Sequence, residues 1–532
     1  MAARLLEELE PALVRGTMHV TVIGDEPEAA YNRVLVADVG VGRTSPEAIS
    51  LADPLALRAL GVDVRLGMRV LRVDRARRRV LLDGGANVPY ERLVFATGSR
   101  SVVPNLIGLN ADPAARQLLA AGASGFPPGV TTLRDLRDAA VLRDAVAGRG
   151  RIIILGGGIL GLEAALAASD EGAAVTVVHH GPHPLGRSID APGGSMLGAQ
   201  LRRRGVRIAT NARSTAVELA GAGGSFSALL LDDGSAIDGD LLVLSCGVRP
   251  RTELAAGAGL PAAAGILVDH RLQVHHDERV YAIGDCAEIR CLDPGCVPCR
   301  QSRGPLGLIG PGWRQAEWLA GRLSDLARQG AAAGGGRAWT DIPGGSLAPE
   351  SEPVMLLKAR GIDVAVAGNV SADPWDDELL EAGSAPGRPR LQVALWADPE
   401  HGRYVKLSTR DGVLEGLVCI GMPRTAAELV LLFERGAELP ADRSSLLRLD
   451  GPEQLMSGPG AGTCAGGSPD ADPERTVCRC AGVSRGKIQA AVGDGCATVA
   501  AVSGSTRAGT GCGGCHGDIR ELIERHFQPA VV

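Results

Sequence analysis

Short apolar runs, each closed by a turn, alternate with helical stretches along most of the chain. Ala3–Val14 reads as a helix and Met18–Gly24 (MHVTVIG) as a buried strand, the second half of a βαβ unit whose first strand is not in view. Residues 61–98 predict short strands and turns ending in Leu93-Val94-Phe95-Ala96-Thr97-Gly98, and the Ala-, Gly- and Pro-rich stretch 105–130 predicts a loop with a short helix. The clearest βαβ pattern runs from Arg151 to Val178: strand Ile152–Leu155, turn and helix over Gly156–Gly172, then strand Ala174–Val178. Strand and turn alternate on to Leu244; after Asp285 comes a cysteine-rich loop, a helix over Trp313–Leu323 and a linker-like stretch at 328–350. Leu391–Trp396, Tyr404–Thr409 and Val413–Ile420 form a meander, the last two joined by the hairpin signal Asp411-Gly412. Residues 449–475 are rich in Pro, Gly and Ser without periodicity and predict a flexible tether to a small separate module.

Composition narrows the functions available. A formal charge of −6 gives no electrostatic case for nucleic acid, and 3% aromatic residues give no stacking platform for single strands. Lysine occurs only at 358, 406 and 487 while glycine numbers 73, which reads as genomic bias and not as chemistry. No apolar run approaches the length of a membrane span, and acids stand in the opening residues where a signal peptide needs a basic and then an apolar segment. The expectation is a cytoplasmic protein without membrane contact, whose 12 cysteines serve metal or redox work instead of structural disulfides.

Gly156-Gly157-Gly158-Ile159-Leu160-Gly161 fits G-x-G-x-x-G, follows a buried strand and opens a helix, which is the context that gives the motif meaning. Gly156 permits the tight turn, Gly158 lets a pyrophosphate reach the backbone, and Gly161 lets helix and strand pack closely. The acidic residue that would hold the ribose of NAD is absent, since the second strand ends Val178-His179-His180. His179, His180 or Arg187 could meet a 2′-phosphate instead, so NADH and NADPH both stay open. A second nucleotide site is signalled by Ala96-Thr97-Gly98 and by Ile283-Gly284-Asp285, where a strand-end Asp can accept from a ribityl hydroxyl.

With Asp25-Glu26-Pro27, Tyr31-Asn32-Arg33, Gly247-Val248-Arg249-Pro250 and Gly312-Trp313-Arg314-Gln315, these motifs resemble the two-dinucleotide-domain flavoprotein reductases. The closer resemblance is to the reductase half of NAD(P)H nitrite reductase large subunits and to the electron-transfer subunit of assimilatory nitrate reductases. It covers roughly residues 1–450 and implies an α/β fold with two Rossmann-like dinucleotide-binding domains, the NAD domain inserted in the FAD domain. The implied division is FAD domain 1–140 and 273–330, NAD(P)H domain 141–272, and a small α+β interface domain 345–448. By the resemblance, Asp25 or Glu26 holds the FAD ribose, Arg33 its pyrophosphate, and Glu163 lies near the nicotinamide; Ala96, Thr97, Gly98, Gly247, Gly284 and Asp285 complete the matching nucleotide motifs. The opening residues resemble the family's text just after the first glycines of G-x-G-M-A. From this a truncated start is expected, with strand one and the first phosphate cradle missing.

The last module carries Cys478-Arg479-Cys480, then 31 residues, then Cys512-Gly513-Gly514-Cys515. Two close thiolate pairs suit either a [2Fe-2S] cluster or Zn²⁺. The surrounding text over 476–530 resembles the helical [2Fe-2S] domain of bacterioferritin-associated ferredoxins, which implies the cluster. Cys496 reads as core. A third group, Cys291-x4-Cys296-x2-Cys299, has the spacing of plant-type ferredoxin ligands; it reads either as a loop of reduced thiols or as a second metal site with Cys286 as fourth ligand.

No dithiol pair stands near the N-terminal flavin half, so electrons are expected to leave by another route than disulfide exchange. No side chain is assigned a catalytic role: cofactors carry the chemistry and the protein positions them. The expected path runs from NAD(P)H to FAD to cluster to a partner, the catalytic subunit of a nitrate or nitrite reductase. The chain lacks the C-x5-C and C-x3-C spacings of a sirohaem half, so a donor is expected and not the nitrite-reducing catalyst. The alternatives are a stand-alone reductase of ferredoxin or rubredoxin and, in another class, an iron-binding module that docks ferritin.

Overall fold

The computed structural model describes the chain except residues 110–124, 222–223, 302–303, 306, 333–344, 349–351, 360, 374, 376–389, 451–472, 474–475, 479–482, 507, 510–514 and 528–532. Most of the expected tether at 449–475 and of the loop at 105–130 therefore lies outside the described residues; Leu449 and Asp450 close the short helical turn Arg448–Asp450.

The segment expected to hold NAD(P)H, called the NAD(P)H half below, is built on a five-stranded sheet, all of whose neighbours pair in parallel. Its order is Arg207–Ala209, Ala174–Val178, Arg151–Leu155, Leu241–Leu244, Val130–Thr132. Arg151–Leu155 sits at the centre because four of its five residues are apolar and buried, as a parallel strand covered on both faces requires. The helix Ile159–Asp170 packs over it through Leu162, Ala164, Ala165 and Leu166.

In the segments expected to hold FAD, Thr21–Ile23 pairs with Asp63–Arg65 and Leu93–Phe95 with Val280–Ala282, both parallel, while Val70–Asp74, Arg79–Leu82 and Asn87–Pro89 form a three-stranded antiparallel sheet. The strand expected over Met18–Gly24 is only Thr21–Ile23. The opening helix Ala2–Val14 buries Leu5, Leu6, Leu9 and Leu13 in the same core as Ala316, Leu319 and Leu323 of the long helix Ile309–Ala332. That helix begins before the expected Trp313 and runs through the start of the expected linker at 328–350, because Ala and Arg continue it where a Gly/Ala count suggested a break.

The interface domain is a five-stranded antiparallel sheet, order Val354–Ala359, Ile362–Gly368, Val413–Ile420, Arg403–Arg410, Gln392–Asp398. The predicted meander forms three of its strands. Helix Pro423–Arg435 covers one face through Ala426 and Leu429, and is closed by Gly436 at φ +58. The other face joins the NAD(P)H half: Leu357, Val364, Tyr404 and Ile420 share one core with Leu162, Leu166 and Leu197. The C-terminal module has a core of its own, with helices Arg485–Gly493, Val499–Thr506 and His516–Phe527 around Ile488, Val502 and Ile519. No helix among the described residues is long and apolar enough to cross a membrane.

Candidate functional site

The glycine turn after Leu155 has the geometry a pyrophosphate needs. Gly156 has φ +123, and a Cβ there would lie 2.1 Å from the Ser245 carbonyl oxygen; at Gly161 it would lie 2.4 Å from the Gly156 oxygen. At Gly158 nothing stands within 4 Å of that position. Gly158 is also the N-cap of helix Ile159–Asp170, whose first N–H groups receive no side-chain cap. An open cradle in front of uncapped N–H groups is an anion site. Glu163 lies half-buried one turn further along the same helix. Gly247, at φ +98, follows the neighbouring strand Leu241–Leu244 with open space at its Cα.

His179 is not free to read a ribose phosphate. Its Nδ1 accepts from the Gly157 N–H at 3.3 Å, which turns the ring back onto the glycine turn. Partial burial, then the neighbouring His180 and His183, hold its pKa below 6.5, so it is neutral and able to accept at pH 7. His180 and Arg187 remain exposed. Two results are expected. NADPH is used within a hundredfold of NADH in steady-state kcat/KM, because no carboxylate opposes the 2′-phosphate; a larger preference for NADH overturns this. KM for the nucleotide is flat from pH 8 to about 6.5 and rises below that. The sign follows from linkage: an unfolded histidine takes its proton near 6.5, this one only at lower pH, so the native turn loses stability as pH falls through that window. A profile unchanged by His179→Asn would remove His179 as the cause.

The residues expected at the flavin come together through a chain of polar contacts. Glu26 pairs with Arg33 and accepts from the Tyr31 hydroxyl at 2.6 Å, and the Arg33 guanidinium stacks 4.9 Å from the Tyr31 ring. Arg33 also donates to the Arg134 carbonyl at 3.1 Å. The Arg134 side chain reaches Asp285 Oδ2 at 3.0 Å, and Ser99 donates to the same oxygen at 2.7 Å. Asp25 faces Arg251 at 3.7 Å, while Thr97 donates to the Arg251 carbonyl at 3.0 Å. Gly284, at φ +73, donates to Gln315 Oε1 at 2.7 Å, tying the Ile283-Gly284-Asp285 turn to the long helix. Ala96 is exposed beside Thr97 and Gly98, the latter at φ +67.

Ser99 and Arg134 were not singled out from the sequence. Arg134 is aimed by its neighbours: Asp135 and Asp138 form a capping box on helix Leu136–Ala147, and Asp138 accepts the Arg134 N–H at 2.7 Å. The Asp-x-x-Asp signal after strand Val130–Thr132 is legible in the text, but the target of Arg134, 151 residues away, is not.

In the last module Cys478 and Cys515 are 0% and 5% exposed and share one apolar pocket. The Gly509 N–H points at Cys478 Sγ at 3.5 Å, the kind of donor that stabilises a metal-bound thiolate. Cys480 and Cys512 lie outside the described residues. Two deeply buried thiols beside a backbone donor fit a cluster site better than solvent-facing sulfhydryls. Cys496 packs against the same core, as expected.

The profile of the pyridine nucleotide-disulphide oxidoreductases matches residues 9–305, more than half of the chain. The chain belongs to that family. A second profile, the BFD-like [2Fe-2S] binding domain, matches residues 476–525. The protein is thus an NAD(P)H oxidoreductase whose cofactors are FAD, NAD(P)H and a [2Fe-2S] cluster. Among its relatives, a Bacillus subtilis nitrite reductase [NAD(P)H] is 27% identical over 98% of this chain and 56% of its own length. The assimilatory nitrate reductase electron transfer subunit of the same species is 26% identical over 98% of this chain and 58% of its own. The chain thus spans about half the length of these curated relatives. In fold it is similar to the reductase in a covalent putidaredoxin reductase–putidaredoxin complex, with TM-score 0.63 and 19% identity over 83% of this chain and 95% of that one.

Proposed function

We propose that this oxidoreductase is the electron-donating component of an assimilatory nitrate or nitrite reductase, taking reducing equivalents from NAD(P)H and delivering them to a separate catalytic subunit. The observation that carries this reading is the coupling, in one chain, of the reductase block at 9–305 to a cluster module at 476–525. A flavin accepts a hydride's two electrons together and passes them on singly, which suits a one-electron cluster. The chain's own residues bind and orient. Gly156, Gly158 and Gly161 seat the nicotinamide dinucleotide; Asp25, Glu26, Arg33, Ala96, Thr97, Gly98, Gly284 and Asp285 would hold FAD; Cys478, Cys480, Cys512 and Cys515 would hold the cluster. A cytoplasmic site of action suits cysteines that serve as cluster ligands instead of structural disulfides.

The test is to co-express the chain with a candidate molybdenum nitrate reductase and measure NAD(P)H-driven nitrite formation. Dependence on both proteins supports the reading; transfer to a small ferredoxin or rubredoxin, with none to the nitrate reductase, overturns it. The flavin assignment is tested separately. Asp285→Ala removes the acceptor shared by Ser99 and Arg134. Bound FAD is expected to fall at least tenfold by absorbance of the purified protein, and full FAD content in the variant would reject the assignment of Asp285.

A further inference from the structure

The cysteine loop after Asp285 holds a ligand that its sequence spacing does not reveal. Strands Ile266–Val268 and Ala287–Ile289 pair in parallel with Val268 opposite Ile289, so their chain ends leave the sheet side by side. His270 and Cys291 each stand two residues beyond those ends and are thereby neighbours. The loop then turns on Asp293, which takes the Gly295 N–H at 2.8 Å and, through its carbonyl, the Cys296 N–H at 3.2 Å. The Arg300 N–H donates to the Cys296 carbonyl at 3.1 Å, starting the short helical turn that brings Cys296 and Cys299 to one side. His270 Nε2 lies 3.3 Å from Cys296 Sγ and 3.4 Å from Cys299 Sγ, and the Cys291 N–H points at Cys299 Sγ at 3.2 Å. The four donor atoms lie within 4.8 Å of one another.

Cys286, the fourth ligand expected from spacing, is elsewhere. It is fully buried and donates to the Phe95 and Ile283 carbonyls at 3.4 and 3.3 Å. It lies in the turn that carries Asp285 and packs in the core with Phe95 and Ile283, outside the group formed by the other three cysteines.

We propose that His270, Cys291, Cys296 and Cys299 form a closed structural zinc site. Three thiolates and one imidazole are a recurrent zinc ligand set. Tetrahedral Zn–S bonds of ~2.3 Å place sulfurs ~3.8 Å apart, so four donors mutually within 4.8 Å match one ion. A two-iron cluster would need its donors split into two pairs, one on each metal, and these four converge on a single point. The ion would tie the loop to two strand ends a few residues from Asp285, with no open position for a substrate.

The full chain, purified under reducing conditions with zinc supplied, is measured by elemental analysis and by X-ray absorption at the zinc edge, which neither flavin nor iron obscures. The expected result is one zinc per chain beside the cluster iron, with three sulfurs at ~2.3 Å and one nitrogen at ~2.0–2.1 Å. Cys296→Ser is expected to lose the zinc and Cys286→Ser to retain it. If Cys296→Ser does not fold, the wild-type spectrum still decides. Absence of zinc after loading overturns the proposal. So does a shell of four sulfurs, which places zinc in the cluster module, or one of nitrogen and oxygen only, an adventitious surface ion. A Cys296–Cys299 disulfide in the fresh protein overturns it as well.

Discussion

Cys515→Ser is expected to leave NAD(P)H oxidation by ferricyanide within about twofold of wild type, while reduction of a protein acceptor falls by at least roughly a hundredfold, about 2.7 kcal/mol. Iron per chain should fall with it. Cys515 is 5% exposed at the head of helix His516–Phe527, where its carbonyl takes the Ile519 N–H at 2.9 Å. Serine preserves that backbone geometry but replaces a soft thiolate with a hard oxygen that iron–sulfur clusters bind poorly. The damage stays local because the module has a core of its own: among the described residues, none of the reductase joins Ile488, Val502 and Ile519. Dye reduction draws on the flavin half alone. Parallel loss of both activities would show that electrons do not pass through the two parts in sequence.

How much of this was legible in the sequence depends on how far apart the cooperating residues are. The glycine turn at Gly156–Gly161 was readable because strand, turn and helix are contiguous and each glycine answers a local steric demand. The Gly284-Asp285 turn was readable for the same reason. Ser99 and Arg134, which hold the same carboxylate, are separated from it by 186 and 151 residues, and only tertiary packing joins them. His270 escaped because strand register, not spacing, sets it beside Cys291. Spacing pointed instead to Cys286, the nearest spare thiol, which burial assigns to the core. Likewise the strands Val354–Ala359 and Ile362–Gly368 complete the interface sheet, yet no Asp-Gly hairpin signal of the kind that marked the meander joins them.

Asp190→Asn is expected to loosen the junction between the NAD(P)H half and the interface sheet by about 3–5 kcal/mol, the usual consequence of stranding one member of a buried ion pair. Lys406, one of three lysines in the chain, is 3% exposed on strand Arg403–Arg410. Its ammonium donates to Asp190 Oδ2 at 2.9 Å and to the Val370 carbonyl at 2.9 Å, while the Tyr404 hydroxyl donates to the same carboxylate oxygen at 2.6 Å. Asp190 also caps helix Ala191–Arg203 by accepting the Gly193 N–H at 3.3 Å, so one carboxylate ends a helix of one domain and neutralises a charge buried by the other. Asparagine has a single oxygen: on the Oδ1 side it keeps the cap, and its NH2 then faces the ammonium and the Tyr404 hydroxyl, so the charge and one acceptor are lost together. Because a chain of several domains does not unfold in one step, the measurement is local: amide hydrogen exchange of the Arg403–Arg410 strand. Replacing both partners, Asp190→Asn with Lys406→Met, removes the stranded charge and should recover more than half of the lost protection, since a buried pair exchanged for apolar packing is close to neutral. A double variant no better protected than Asp190→Asn alone would assign the loss to the cap and to Tyr404, and not to the ion pair.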